Sequence, residues 1–152
     1  MSTTHRSLGI IVDWLGQNQR SYTIIDEMNE AVNFVCPIVF FVDNKELPLR
    51  KCKFAMMDVQ EVWAFPHSVI ATSVETAKIL LECPLPTKKF FYMWDLDWLY
   101  KNGDFQEYRQ IYRELTPIVR CEEHAQVIRK CWLQQSVKVI EDFNHEQIIE
   151  LS

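Results

Sequence analysis

Glycine is scarce in this chain. Among 152 residues only Gly9, Gly16 and Gly103 are glycine. Neither G-x-G-x-x-G nor G-x-x-x-x-G-K-[ST] occurs, which argues against the two common loops whose backbone amides cradle phosphates. Basic residues are also short: 16 Lys and Arg stand against 21 Asp and Glu, a net charge of −5. With no basic excess to neutralise phosphates, broad electrostatic binding of nucleic acid is not expected. The one basic cluster, Arg50, Lys51 and Lys53, reads as a solvated loop. No apolar run approaches the roughly 20 residues of a membrane-spanning helix, so no span is expected. Met1 to Ser7 is polar and the next apolar run breaks at Asp13, which is not a signal-peptide layout. The five cysteines, Cys36, Cys52, Cys83, Cys121 and Cys131, are scattered and form no C-x-x-C pair. That pattern predicts reduced thiols in a cytoplasmic protein, with neither a disulfide framework nor a zinc site.

What is present is alternation. Short β-branched or aromatic runs end at turn residues, and amphipathic segments follow them. Strands are predicted over 8–12, 37–42, 52–57, 68–72, 90–94, 117–120 and 137–140. Helices are predicted after the first, fourth, fifth and sixth of these, on the spacing of Tyr22, Ile25, Met28 and Val32, of Ala77, Leu80 and Leu81, of Tyr108, Ile111, Tyr112 and Leu115, and of Val127, Ile128 and Cys131. A helical turn is expected within 58–66, and the last helical turn over 146–151. Between them, Glu141 to His145 reads as a polar exit. The join between the second and third strands is about as short as a parallel crossover allows. Strands alternating with helices predict one α/β domain over 1–152: a three-layer, doubly wound, mostly parallel sheet of about seven strands, Rossmann-like in plan.

Lys88 to Tyr100, KKFFYMWDLDWLY, organises the rest. Its run from Phe90 to Trp94 has no polar alternation, as suits a strand buried on both faces. It stops at Asp95-Leu96-Asp97, and open α/β sheets bind ligands at the carboxyl ends of their strands.

Four pieces then recur in a familiar order. An early strand ends in Asp13-Trp14-Leu15-Gly16. A strand-to-helix step reads Ile70-Ala71-Thr72-Ser73, followed by Thr76-Ala77. The run Phe91 to Asp97 ends in an acidic pair. Ile118 to Cys121, Glu123-His124-Ala125 and Val139 to Asn144 complete the series. In this order the chain resembles the N-terminal, acceptor-side half of a GT-B glycosyltransferase, of the retaining group that includes rhamnosyltransferase-like enzymes. The resemblance implies a transferase-related domain that binds a sugar or a glycosylated acceptor. It implies a nucleotide sugar as co-substrate and no bound cofactor. It also implies a second, donor-binding domain, which this chain lacks. A partner protein would supply it, or the domain serves another use as a non-catalytic interaction module or homo-dimer. The segment Phe143 to Leu151 is the surface expected to be left open for such an assembly.

Asp95 and Asp97 are the residues expected to carry catalysis, one acting as general base toward a sugar hydroxyl; the alternative is a strand-end turn whose carboxylates bind backbone amides. Asp95-Leu96-Asp97 also matches the D-x-D of metal-dependent GT-A glycosyltransferases, a third reading. Trp14 and Trp94 are the expected sugar platforms, since an indole stacks on a sugar's C–H face and donates through its N–H. The alternative is that they are core. Gly16, in the first strand-end loop, and Ser73, a helix N-cap in the second, are also expected to bind the substrate. His124 opens a helix at the cleft edge and suits an anion near the helix N-terminus, or is simply a surface residue. His67, at the amino end of its strand, reads as structural.

Overall fold

A computed structural model of the chain describes residues 6–43, 50–85, 87–96, 105–132, 134 and 136–152. Its strands are β1 (Ser7–Val12), β2 (Cys36–Phe41), β3 (Ala55–Asp58), β4 (Ser68–Ala71), β5 (Lys89–Met93), β6 (Thr116–Val119) and β7 (Lys138–Val139). Its α-helices are α1 (Gln19–Ala31), α2 (Val74–Glu82), α3 (Phe105–Glu114), α4 (Glu122–Trp132) and α5 (His145–Leu151). Two 3₁₀ segments, Val59–Ala64 and Glu141–Phe143, complete the described elements. The strands form one sheet in the order β3-β2-β1-β4-β5-β6-β7. Every neighbouring pair runs parallel. The expected doubly wound α/β architecture is therefore present.

The order follows from two outward walks. From β1 the chain steps to β2 and β3; from β4 it steps the other way to β7. Right-handed crossovers put the helices of the two walks on opposite faces. Strand periodicity then decides what each face buries. Leu8, Ile10 and Val12 of β1 pack with Ile24, Ile25 and Met28 of α1 and with Ile148 of α5. Ile11 points the other way, into a core that holds Ala77 and Leu80 of α2, Ile111 of α3 and Ile128 of α4. Phe90 and Tyr92 of β5 belong to the first core, Phe91 and Met93 to the second. Each large apolar side chain so buried contributes on the order of 1.5–3 kcal/mol. Gly9 faces the second core for a steric reason: a Cβ there would stand 2.8 Å from the ring of Phe65 and 3.1 Å from that of Phe40.

Two expectations are corrected. The third strand starts at Ala55 rather than Cys52. The residues before it are held by α1 instead of by the sheet ladder. Asn29 Nδ2 donates to the carbonyl of Lys51 at 2.9 Å, and Asn29 Oδ1 accepts from the amide of Lys53 at 2.7 Å. Arg50 pairs with Asp26 and lies 4.3 Å above the ring of Tyr22. This short crossover is thus fastened to α1 by side chains, where a longer one would carry its own helix.

The second correction concerns Glu141 to His145, which is not simply a polar exit. Asp142 and Phe143 adopt positive φ, 47° and 55°. That left-handed turn is unfavourable for a bulky residue and needs support. It drives Phe143 inward until it is fully buried. Its ring meets Tyr92 edge-on at 4.7 Å. The Tyr92 hydroxyl donates to the carbonyl of Ile140 at 2.7 Å and accepts from the amide of Phe143 at 2.9 Å. Phe143 and Ile148, expected on an open surface, instead complete the core over α1.

Tyr92→Phe leaves that carbonyl and amide without their buried partner, so urea unfolding should show a loss of about 1–3 kcal/mol. Burial pushes the Tyr92 phenol up to about 12 from its ordinary 10.0, partly offset by the Phe143 amide. A raised folded-state pKa means that the tyrosine's contribution is complete below pH 10 and is lost as pH climbs toward 12. Unfolding free energy measured across that window should therefore fall more steeply in the native chain than in Tyr92→Phe.

Candidate functional site

Because all the strands run the same way, their carboxyl ends share one edge of the sheet. The walks diverge between β1 and β4, and loops leaving adjacent strands in opposite directions leave a crevice at such a point. Four of the loops at this edge carry the residues in question.

The first loop joins β1 to α1. Leu15 anchors it in the core at 4% exposure, while Trp14 turns outward at 51%. The indole lies across Gly16, and a Cβ at position 16 would collide with its six-membered ring. Here glycine is required for close approach, since no glycine among the described residues has positive φ. The buried amide of Gly16 donates to Ser21 Oγ at 3.0 Å. Asn18 Oδ1 accepts from the Ser21 amide at 2.8 Å and caps α1.

The second loop joins β4 to α2. Thr72 Oγ1 donates to the carbonyl of Ile11 at 2.8 Å and so ties the diverging strand ends together. The amides of Thr72 and Ser73 both donate to Thr76 Oγ1, at 3.0 and 2.9 Å. Ser73 Oγ accepts from the Thr76 amide at 3.1 Å, which completes a capping box. Ser73 is 6% exposed, and its hydroxyl is engaged with the cap.

The third loop follows β5. Trp94 is half-buried and Asp95 is exposed, while Leu96 packs inward. Asp97 lies outside the described residues, as do Trp98 and Gly103, so the acidic pair is represented by Asp95. One strand, β4, separates β5 from β1, which sets their ends about 10 Å apart.

The fourth loop joins β6 to α4. Arg120 reaches over it, with its guanidinium carbon 3.9 Å from the centroid of the Trp94 ring. Arg120 Nη2 also meets Asp142 Oδ1 at 3.3 Å, beyond the end of β7. One guanidinium thereby spans the ends of β5, β6 and β7. Arg120 Nε and His124 Nδ1 are both buried without a hydrogen-bond partner. Such orphaned nitrogens are uncommon and call for an explanation. Glu122 and Glu123 occupy the first turn of α4. The Glu123 carboxyl is held below the usual range by its own backbone amide and by the Cys121 thiol. The positive end of α4 is thus already met by carboxylates, a competing claim on the anion expected beside His124.

The structure therefore brings Trp94 and Asp95, on the loop after β5, to the same edge as His124 in the first turn of α4, with Trp14, Gly16 and Ser73 at the switch point. Sequence reasoning missed Arg120. Its place immediately after a strand was the available signal, but the stacking on Trp94 depends on β5 and β6 being neighbours. Among the described residues, no group of three or more His, Cys, Asp and Glu could hold a metal ion. His67 is exposed at the amino edge, its ring edge-on to Phe65.

No family model matches this chain, and neither a curated protein nor a solved structure does so.

The Thr76 hydroxyl holds two amides and the first turn of α2. Thr76→Ala should cost about 1–2 kcal/mol, within the usual range for a lost cap. Hydrogen exchange should quicken at Thr72 and Ser73 before it does in β4.

Proposed function

We propose that this chain is a glycosyltransferase-like domain that recognises a sugar or glycosylated acceptor in the crevice between the β1 and β4 loops. The observation that carries this reading is Trp14: a flat indole, 51% exposed, seated on Gly16 at the topological switch point. The ring offers solvent an apolar face with an N–H at its rim, the combination that stacks on a sugar. Trp94 contributes differently, because Arg120 already covers one of its faces. Arg120 Nε and His124 Nδ1 supply polar groups without protein partners near the same edge, suited to hydroxyl oxygens of a sugar. Asp95, exposed beside them, is the general base that would take a proton from an acceptor hydroxyl. A nucleotide sugar would be held by a second domain, in the same assembly or a partner chain. The order of the four sequence pieces supports this reading over an unrelated binding module.

Titration with monosaccharides and nucleotide sugars should give saturable changes in tryptophan fluorescence. Trp14→Ala should weaken binding about tenfold, close to 1.4 kcal/mol. Trp63→Phe, on the segment that follows the edge strand β3, should leave the affinity unchanged. A native chain whose fluorescence ignores every sugar offered would remove the proposal.

A second reading, an interaction module without catalysis, is favoured by Met57 and Trp63, 38% and 41% exposed on and beside the edge strand β3. Sedimentation of the native chain against Trp63→Ser distinguishes it: a concentration-dependent dimer lost in the variant supports it, and a monomer in both disfavours a homo-dimer at this edge.

A further inference from the structure

The opposite edge of the sheet holds a second cleft, of about 280 Å³, where β1, β4 and β5 begin. Adjacent strands bring together segments far apart in the chain. Arg6 precedes β1, His67 precedes β4, and Thr87 and Lys88 precede β5; all four line the cleft with Ser7, Ser68, Pro66 and Ser152, the last residue of the sequence. No aspartate or glutamate side chain lines it. Among the described residues neither Arg6 nor Lys88 has a carboxylate partner. In a chain of net charge −5, this is a local concentration of cations and hydroxyls.

The cleft is also built on fixed backbone. The Arg6 carbonyl accepts from the Cys36 amide at 2.8 Å, and the Lys88 carbonyl accepts from the Val69 amide at 3.0 Å. The Thr87 amide donates to the Leu85 carbonyl at 2.9 Å. His67 is braced against Phe65, 5.2 Å between ring centroids. Within this frame Thr87 Oγ1 is buried and has no hydrogen-bond partner. A buried hydroxyl without a partner is costly unless something meets it. Cations at the starts of β1 and β5, on either side of β4, with hydroxyls between them and no aspartate or glutamate side chain, make a site for a compact oxyanion.

We propose that this amino-edge cleft binds the phosphate group of a small phosphorylated molecule, with Arg6 and Lys88 supplying charge and Thr87 a hydrogen bond. The site is independent of the sugar crevice, which lies at the other edge. Either free phosphate or a phosphomonoester presents this chemistry.

The test is calorimetric titration with inorganic phosphate and with phenyl phosphate, at ionic strength held constant with chloride, paired with amide chemical-shift mapping. Saturable binding is expected, with shifts at Ser7, Ser68 and Lys88. Arg6→Gln combined with Lys88→Gln should weaken it at least tenfold; both side chains sit on exposed residues, so the fold should persist. Thr87→Val, which keeps the shape and removes the hydroxyl, should weaken it several-fold. Tighter binding of phenyl phosphate than of phosphate would identify an ester as the preferred source, and tighter binding of phosphate would identify the free ion. Absence of binding by either probe overturns the proposal. So does an unchanged affinity in the double variant, or shifts confined to residues 13–16.

Discussion

A parallel sheet has no side that water can wet, because its crossovers lay helices over both faces and its strands must be apolar on each. Here that requirement reaches every strand from β1 to β6 that lies inside the sheet. It explains why β5 reads as an unbroken hydrophobic run and why Gly9 sits where two phenyl rings already fill the space. It also explains the helices: each amphipathic segment exists to cover one half of one face. The two directions of travel from β1 and β4 then follow from handedness, and the crevice follows from the two directions. The candidate site is thus a by-product of covering the sheet, with side chains added at the strand ends.

What was legible in the chain was what depends on near neighbours. The run Leu8 to Val12, the cap at Ser73 with Thr76 three residues later, and the helical spacing of Ile111 and Leu115 all announce themselves within a turn or two. What was not legible depends on residues that meet only after folding. Asn29 fixes the start of β3 through bonds to Lys51 and Lys53, 22 and 24 residues away. Phe143 looked like one apolar residue in a polar tail, and it is buried because Tyr92, 51 residues earlier, offers both a ring and a hydroxyl. Arg120 was invisible for the same reason: its stacking partner sits on a different strand. The seven-residue motif at the end of β5 was correctly placed at a strand end, although Asp97 falls beyond the described residues.

The two edges of the sheet differ in chemistry in a way that overall charge hides. The carboxyl edge presents indoles, a guanidinium already shared between Trp94 and Asp142, and several exposed carboxylates, Asp95, Glu122 and Glu123 among them. The amino edge presents cations and hydroxyls with no carboxylate side chain among them. A molecule with a net negative charge can therefore still offer an electropositive concavity, because low-dielectric walls keep local charges from averaging with distant ones.

The turn at Asp142 and Phe143 has a bearing on how the chain is made. Residues 143–148 supply the final covering for the face that α1 begins, and they leave the ribosome after every strand has been synthesised. Until they emerge, the apolar side of β1 and β5 stays partly open, and the Tyr92 hydroxyl has no amide to accept from. A nascent chain stalled before Ile140 would therefore display a sticky, half-roofed sheet, the kind of surface that holdase chaperones recognise.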